Sequence, residues 1–207
     1  MSHPSPSTAR PDADVKTRLL EAASQLLDEA GPTGMSLREV ARRAGVSHAA
    51  PYNHFANKEA LLATLAVEGW RALDRSMHDA QQMASPTALE QLVATGLGYI
   101  RFALQRPAAY KLMLQREFAA PSLAAELFDC AISPYRRMLT AVRTLREQQG
   151  MPTDDPAIDA DGLVLWSLVH GMASLSIDSQ IEGLPRNDLQ VYRQLLMRIE
   201  GMYPRAS

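Results

Sequence analysis

Apolar residues recur along this chain at intervals of three and four, the period of an α-helix, and no segment alternates as a strand would. Val15, Leu19, Leu20, Ala23, Leu26, Leu27 and Ala30 form one such stripe, predicting a helix over 14–30 that Gly31-Pro32 ends. Ser36 with Glu39 three residues later has the form of a capping box. It predicts a short helix to Ala44, with Gly45 in a left-handed turn beyond it. Ser47 caps a second short helix ending near His54-Phe55, and Asn57 caps a longer one through Leu61, Leu62, Leu65, Trp70 and Leu73 towards Met83. Amphipathic segments follow at about 87–105, 107–116, 122–149, 156–181 and 188–201. Pro134 predicts a split or kink in the third of these, Asp155-Pro156 a helix start, and Gly183-Leu184-Pro185 a break. The expected fold is all-α. A three-helix head over 14–57, built around a helix-turn-helix, joins a larger helical bundle over 58–207, behind a loose tail of residues 1–13.

Composition narrows the classes. With 46% apolar and 21% charged residues the chain reads as globular. One cysteine, Cys130, excludes a disulfide framework and a multi-cysteine zinc site. No uninterrupted run of about 18 apolar residues predicts a membrane span, and residues 1–13 lack the apolar core of a secretory signal. A soluble, cytoplasmic protein is expected. The net charge of −2 argues at first against a polyanion partner. Locally the balance reverses: Arg38, Arg42, Arg43 and Lys58 face the single acid Glu39 across residues 36–58, with His48 and His54 in the same window.

That window also has the layout DNA readout requires. Two short capped helices meet at Ala44-Gly45-Val46, where glycine permits a tight turn. Ala41 is small where the helices cross, and Leu37, Val40, Val46 and Phe55 supply a small core. The second helix then exposes His48, Ala49, Tyr52 and Asn53, short enough at its start for the backbone to sit deep in a major groove.

The string from Ser36 to Ser47 (SLREVARRAGVS), then Tyr52-Asn53-His54-Phe55 and Asn57-Lys58-Glu59-Ala60-Leu61-Leu62, resembles the TetR family of bacterial transcriptional regulators. The resemblance implies a recognition helix from Ser47 to His54, with His48, Ala49, Ala50 and Asn53 facing base edges. It makes Tyr52, His54 and Lys58 phosphate anchors, with Ser36 at the start of the supporting helix. Pro51 departs from the family pattern and predicts a tightened, 3₁₀-like start to that helix. Trp166-x-x-x-His170-Gly171 is similar to the C-terminal signature of one subgroup of the family. Arg42 and Arg43 are open between DNA contact and a solvated face.

The same resemblance implies a small-molecule pocket within the bundle. Tyr99, Phe102, Tyr110, Met113, Leu114 and Phe118, with Trp166 and His170, are its candidate lining, although their helical spacing alone reads as ordinary core. Ten methionines suit an adaptable pocket. A homodimer through the last two long helices is expected, on faces carrying Ile158, Leu165, Trp166, Val169, Ala173, Ser176 and Ile177, then Leu189, Tyr192, Leu196, Ile199 and Tyr203. Gly162, Gly171, Ala173 and Ser174 would let those helices approach closely.

The functional expectation is a ligand-responsive repressor acting on double-stranded operator DNA, released by a small-molecule effector. No cofactor, metal site or catalytic residue is expected. Asp161 and Asp178 near His170 have no serine or cysteine nucleophile tied to them by a motif, and His48 and His54 are six apart, not a chelating pair. Two alternatives stand beside it: a helical enzyme or carrier of small molecules with a merely structural head, or a protein-interaction module.

Overall fold

Every regular element among the described residues (11–115, 123–179 and 188–204 of this computed structural model) is helical. In order they are α1 (Pro11–Ala30), α2 (Leu37–Ala44), a 3₁₀ turn (Ala50–Asn53), α3 (Lys58–Met83), α4 (Ala88–Gln105), α5 (Pro107–Met113), α6 (Ala124–Gln149), α7 (Asp155–Ile177), α8 (Leu189–Met197) and a second 3₁₀ turn (Arg198–Met202). Phe118, Arg116, Glu117 and the Gly183-Leu184-Pro185 break lie outside the described residues.

α1 starts at Pro11 rather than Asp14, since the fixed φ of proline suits a first helical turn. Its stripe of Leu19, Ala23, Leu26 and Leu27 is buried. The helix stops at Gly31 (φ 67°), whose N–H donates to the Leu27 carbonyl at 3.0 Å. α3 carries the head into the bundle. Asn57 caps it through Oδ1, which accepts the Ala60 N–H at 2.8 Å, and its buried stripe runs from Leu61 to Met77. Over 26 residues it spans about 39 Å, one uninterrupted rod between the two parts. α4 crosses it at Gly98, where an added Cβ would lie 2.5 Å from Met77 Cα and 2.5 Å from the Ser76 carbonyl oxygen. Glycine there lets the two backbones touch.

Further expectations change in the bundle. Pro134 does not split the segment expected over 122–149: α6 is one helix from Ala124 to Gln149, with Pro134 buried inside it. An interior proline costs about 3 kcal/mol in an isolated helix. The packing of Met138, Ala141, Val142 and Leu145 in the core, one to three turns further on, offsets that cost.

The faces expected to build the dimer point inward. Ile158, Leu165, Val169, Ala173, Tyr192, Leu196, Ile199 and Tyr203 are buried within the chain itself. Gly162 faces Leu139 of α6, not open solvent. On the other side of α7, Leu163 (62% exposed), Val164 (51%), Ser167 and Gly171 form an uncovered strip. The periodicity misled because α7 carries apolar residues on every side, so its pattern names no inner face.

For the same reason α7 is long and apolar enough, by length and composition, to cross a membrane, with mean hydropathy 1.3 in its most apolar window. Its interspersed Gly, Ser and His residues hide this from a search for an uninterrupted apolar run. In the fold its inner face belongs to the bundle core.

Candidate functional site

The head begins at an extended Ser36 (φ −140°, ψ 152°), whose Oγ accepts the Glu39 N–H at 3.2 Å. Glu39 does not turn its carboxylate back to complete the box. It receives Arg42 Nε at 2.9 Å and Nη2 at 2.6 Å, and this hydrogen-bonded guanidinium holds the carboxyl below its ordinary range. At the other end of α2 the Val46 N–H donates to the Ala41 carbonyl at 3.1 Å and the Gly45 N–H to that of Arg42 at 3.3 Å. Gly45 sits at φ 65°, ψ 36°, so the chain turns sharply into the next element.

That element is not the α-helix expected over Ser47 to His54. It is a 3₁₀ turn over Ala50–Asn53. Ala50 donates to Ser47 at 3.0 Å, Tyr52 to Ala49 at 3.1 Å and His54 to Pro51 at 3.0 Å, all closing over three residues. Pro51 is the cause: it has no N–H for the Ser47 carbonyl, which takes Ala50 instead. The Pro51 ring is buried, while Ser47, His48, Ala49, Tyr52 and Asn53 are exposed and Ala50 and His54 half-buried. Tyr52 stands 61% exposed, an unusual position for a large aromatic. The His54 ring lies against Phe55, centroids 6.2 Å apart.

Tertiary pairing redistributes the charge of the window. Arg43 Nη1 donates to Glu29 of α1 at 2.6 Å, and this contact keeps the Glu29 carboxyl below its ordinary range. With Arg42 held by Glu39, both arginines of the Arg42-Arg43 pair are occupied. Arg38 has no ion-pair partner among the described residues and lines a shallow hollow of about 280 Å³ with Ser36, Glu39, Arg42 and His48. Lys58 Nζ donates to the Thr33 carbonyl at 3.3 Å, a neutral acceptor that an anionic phosphate oxygen can displace. Among the described residues, the cations of the window without an acid partner are therefore Arg38 and Lys58. The sequence does not single out Arg38, because Glu29, which silences Arg43, lies outside the basic window.

In the bundle, four of the residues expected to line a pocket converge. The Tyr99 and Tyr110 hydroxyls are 3.0 Å apart, and each is 3.0 Å from His170 Nδ1. Trp166 stacks edge-on against Tyr99 at 5.1 Å and against Tyr135 at 5.4 Å. Tyr135, next to Pro134 on α6, carries no local sign of this role. Burial raises the phenol pKa of Tyr99 and Tyr110 and lowers that of His170, so all three are neutral. The cluster is a small polar knot in an apolar bundle, with its hydrogen bonds turned on one another.

The remaining candidates lie elsewhere. Met113 is buried against Gly69, and its carbonyl accepts Trp70 Nε1 at 3.2 Å. Leu114 falls beyond the end of α5 and is 36% exposed. Phe102 faces a groove between α1 and α3–α5. No group of three His, Cys, Asp or Glu side chains placed to hold a metal occurs among the described residues.

Comparison with known proteins bears on both parts. Residues 19–65 match the family described as bacterial regulatory proteins, tetR family, and residues 92–199 match the Tetracyclin repressor-like C-terminal domain. A Rhodococcus sp. RHA1 protein of unknown function is 27% identical, with a TM-score of 0.77 over 94% of this chain and 98% of that one. The TetR family transcriptional regulator PfmR from Thermus thermophilus shares the fold at 20% identity and TM-score 0.66, covering 87% of this chain and 97% of its own. A tetR family regulatory protein from Rhodococcus RHA1 does so at 21% and 0.68, covering 97% and 100%.

Proposed function

This chain belongs to the TetR family, and from that premise we propose that it is a repressor which grips an operator with two heads and releases it when a small molecule binds. It is a DNA-binding transcriptional regulator, of a family whose members act as dimers on operator DNA and are generally not enzymes. The observation that carries the finer reading is the exposed 3₁₀ turn, with Tyr52 61% accessible and the cations Arg38 and Lys58 beside it.

In this reading Tyr52, His54 and Lys58 hold phosphates, helped by the start of α2 at Ser36, and fix register. His48, Ala49, Ala50 and Asn53 face base edges, where a bidentate asparagine–adenine pair discriminates by about 1–3 kcal/mol. The head ends near residue 57 and the rest of the chain dimerises and senses. Dimerisation runs through the outer strip of α7 (Leu163, Val164, Ser167, Gly171) with α8 beside it, since that strip is apolar and its small residues permit close packing. The effector acts on Tyr99, Tyr110, Trp166 and His170, and its signal reaches the heads through α3 as a change in their spacing. The protein works in the cytoplasm, where its operator is.

A gel shift on the DNA upstream of its own gene, titrated with salt, tests this. Specific binding that weakens steeply with salt supports the reading; binding indifferent to sequence overturns it.

A further inference from the structure

α1 does not lie flush on the bundle. A groove of about 410 Å³ separates it from α3, α4 and α5, within the range that small organic ligands occupy. Its floor is apolar, with Leu20, Leu65, Ala72 and Phe102, and its rim carries Arg75 and Arg106. A shallower hollow continues past Ala72, Arg75, Phe102 and Arg106 and adds Arg101 and Asp79.

The charges of the rim are unequally satisfied. Arg75 is exposed and has no ion-pair partner among the described residues. Arg106 Nη2 donates to Ser24 Oγ of α1 at 2.6 Å, a neutral acceptor. Of the two acids in the groove, Glu68 is held by Arg71 at 2.8 Å, and Glu21 stands on the opposite lip, on α1. Asp79, one turn beyond Arg75, lies in the adjoining hollow and not in the groove. With Arg75 and Arg106, the α3–α4 side of the groove's mouth thus has an excess of positive charge, and its interior is apolar.

We propose that this groove is a binding site for a small amphipathic anion, a carboxylate with an apolar body, distinct from the Tyr99–Tyr110–His170 cluster. The body lies on Leu20, Leu65, Ala72 and Phe102, and the carboxylate sits between Arg75 and Arg106. Charge decides the class. A carboxylate forms a charge-assisted bond with Arg106, roughly twice as strong as the bond to a neutral hydroxyl, so it takes the guanidinium from Ser24. Glu21 disfavours a headgroup placed against α1. Occupation thus unties α1, a helix of the DNA-binding head, from the α4–α5 corner of the bundle.

Calorimetric titration of the full-length protein with sodium decanoate, below its micelle-forming concentration, tests the site without involving DNA. Saturable binding is expected, weakened about tenfold or more in the Arg75→Ala/Arg106→Ala double variant and lost in Ala72→Phe. Ser24→Ala, which leaves nothing to displace, should tighten binding a few-fold. Decyltrimethylammonium, the cationic counterpart, should bind at least tenfold more weakly than decanoate. No binding, equal binding by the double variant, or equal affinity for the two surfactants overturns the proposal. Failure of operator binding would leave this result untouched, so the two readings fail separately.

Discussion

The hydroxyl of Tyr99 on α4 lies 3.0 Å from Nδ1 of His170 on α7, and the Tyr110 hydroxyl on α5 closes the triangle. Two successive helices, α4 and α5, are joined at one point to α7, which lies 60 or more residues further along the chain. With His170 neutral and its proton on Nε2, the two hydroxyl protons serve two of the three edges and the ring lone pair accepts one of them. An imidazolium would add a proton and a charge to a half-buried site.

That geometry has a pH signature. Burial lowers the His170 pKa below its ordinary 6.5 in the folded protein. The unfolded chain therefore takes up the proton first on acidification. The contribution is complete above about pH 6.5 and is lost as pH falls through the folded-state pKa. Melting temperature should drop between about pH 7.5 and 5.5 more steeply in the native protein than in His170→Gln. Parallel curves for the two proteins would place the acid sensitivity elsewhere.

Contacts in the head should separate by kind. Lys58→Ala and Tyr52→Phe should weaken binding to all duplexes about equally, with the salt slope of the lysine variant shallower by about one. Asn53→Ala should relax preference at one base position, losing about 1–3 kcal/mol of discrimination. Pro51→Ala restores a donor for the Ser47 carbonyl, so it should rebuild an α-turn and shift base preference without abolishing binding. Selection of preferred sequences from a random pool by each variant would check all four.

The two sides of α7 should respond differently to a charge. Leu163→Glu on the uncovered strip should dissociate the dimer while each protomer stays folded, because two-fold symmetry sets the substitution twice into one interface. Val169→Glu, 1% exposed in the core, should cost several kcal/mol and unfold the chain. Sedimentation velocity beside circular dichroism distinguishes the outcomes. A Leu163→Glu dimer as tight as the native one would move the interface elsewhere.

Gly98→Ala probes the crossing of α3 and α4. The new methyl meets Met77 and Ser76 backbone atoms at 2.5 Å, which cannot yield as a side chain would. Separating the helices should cost about 1–3 kcal/mol or more, lowering the melting temperature by several degrees. It should also break the bond from Ser76 Oγ to the Gly98 carbonyl, now 2.8 Å. Thermal unfolding of the variant measures this directly.

Much of the head was legible from local chemistry. Ser36, Gly45 and Asn57 mark helix ends in the sequence and do so in the fold, because a cap is satisfied within four residues of itself. Pro51 announced a tightened start; in the fold the tightening covers the whole element and leaves no α-helix. Tyr99, Tyr110, Trp166 and His170 could be named as candidates but not assembled, since His170 stands 71 residues from Tyr99.

The sequence by itself determined that the chain is helical, where the capped helices at Ser36 and Asn57 begin, and that residues 35–62 hold a glycine-hinged head suited to DNA. Hydrogen-bond capping and apolar periodicity act over one or two turns, so both can be read along the chain. Which side of α7 turns inward, that Glu29 neutralises Arg43, and that Arg106 ties the head to the bundle were decided only in three dimensions. A helix with apolar residues on every side names no inner face, and an arginine takes whichever acceptor the folded chain brings within reach.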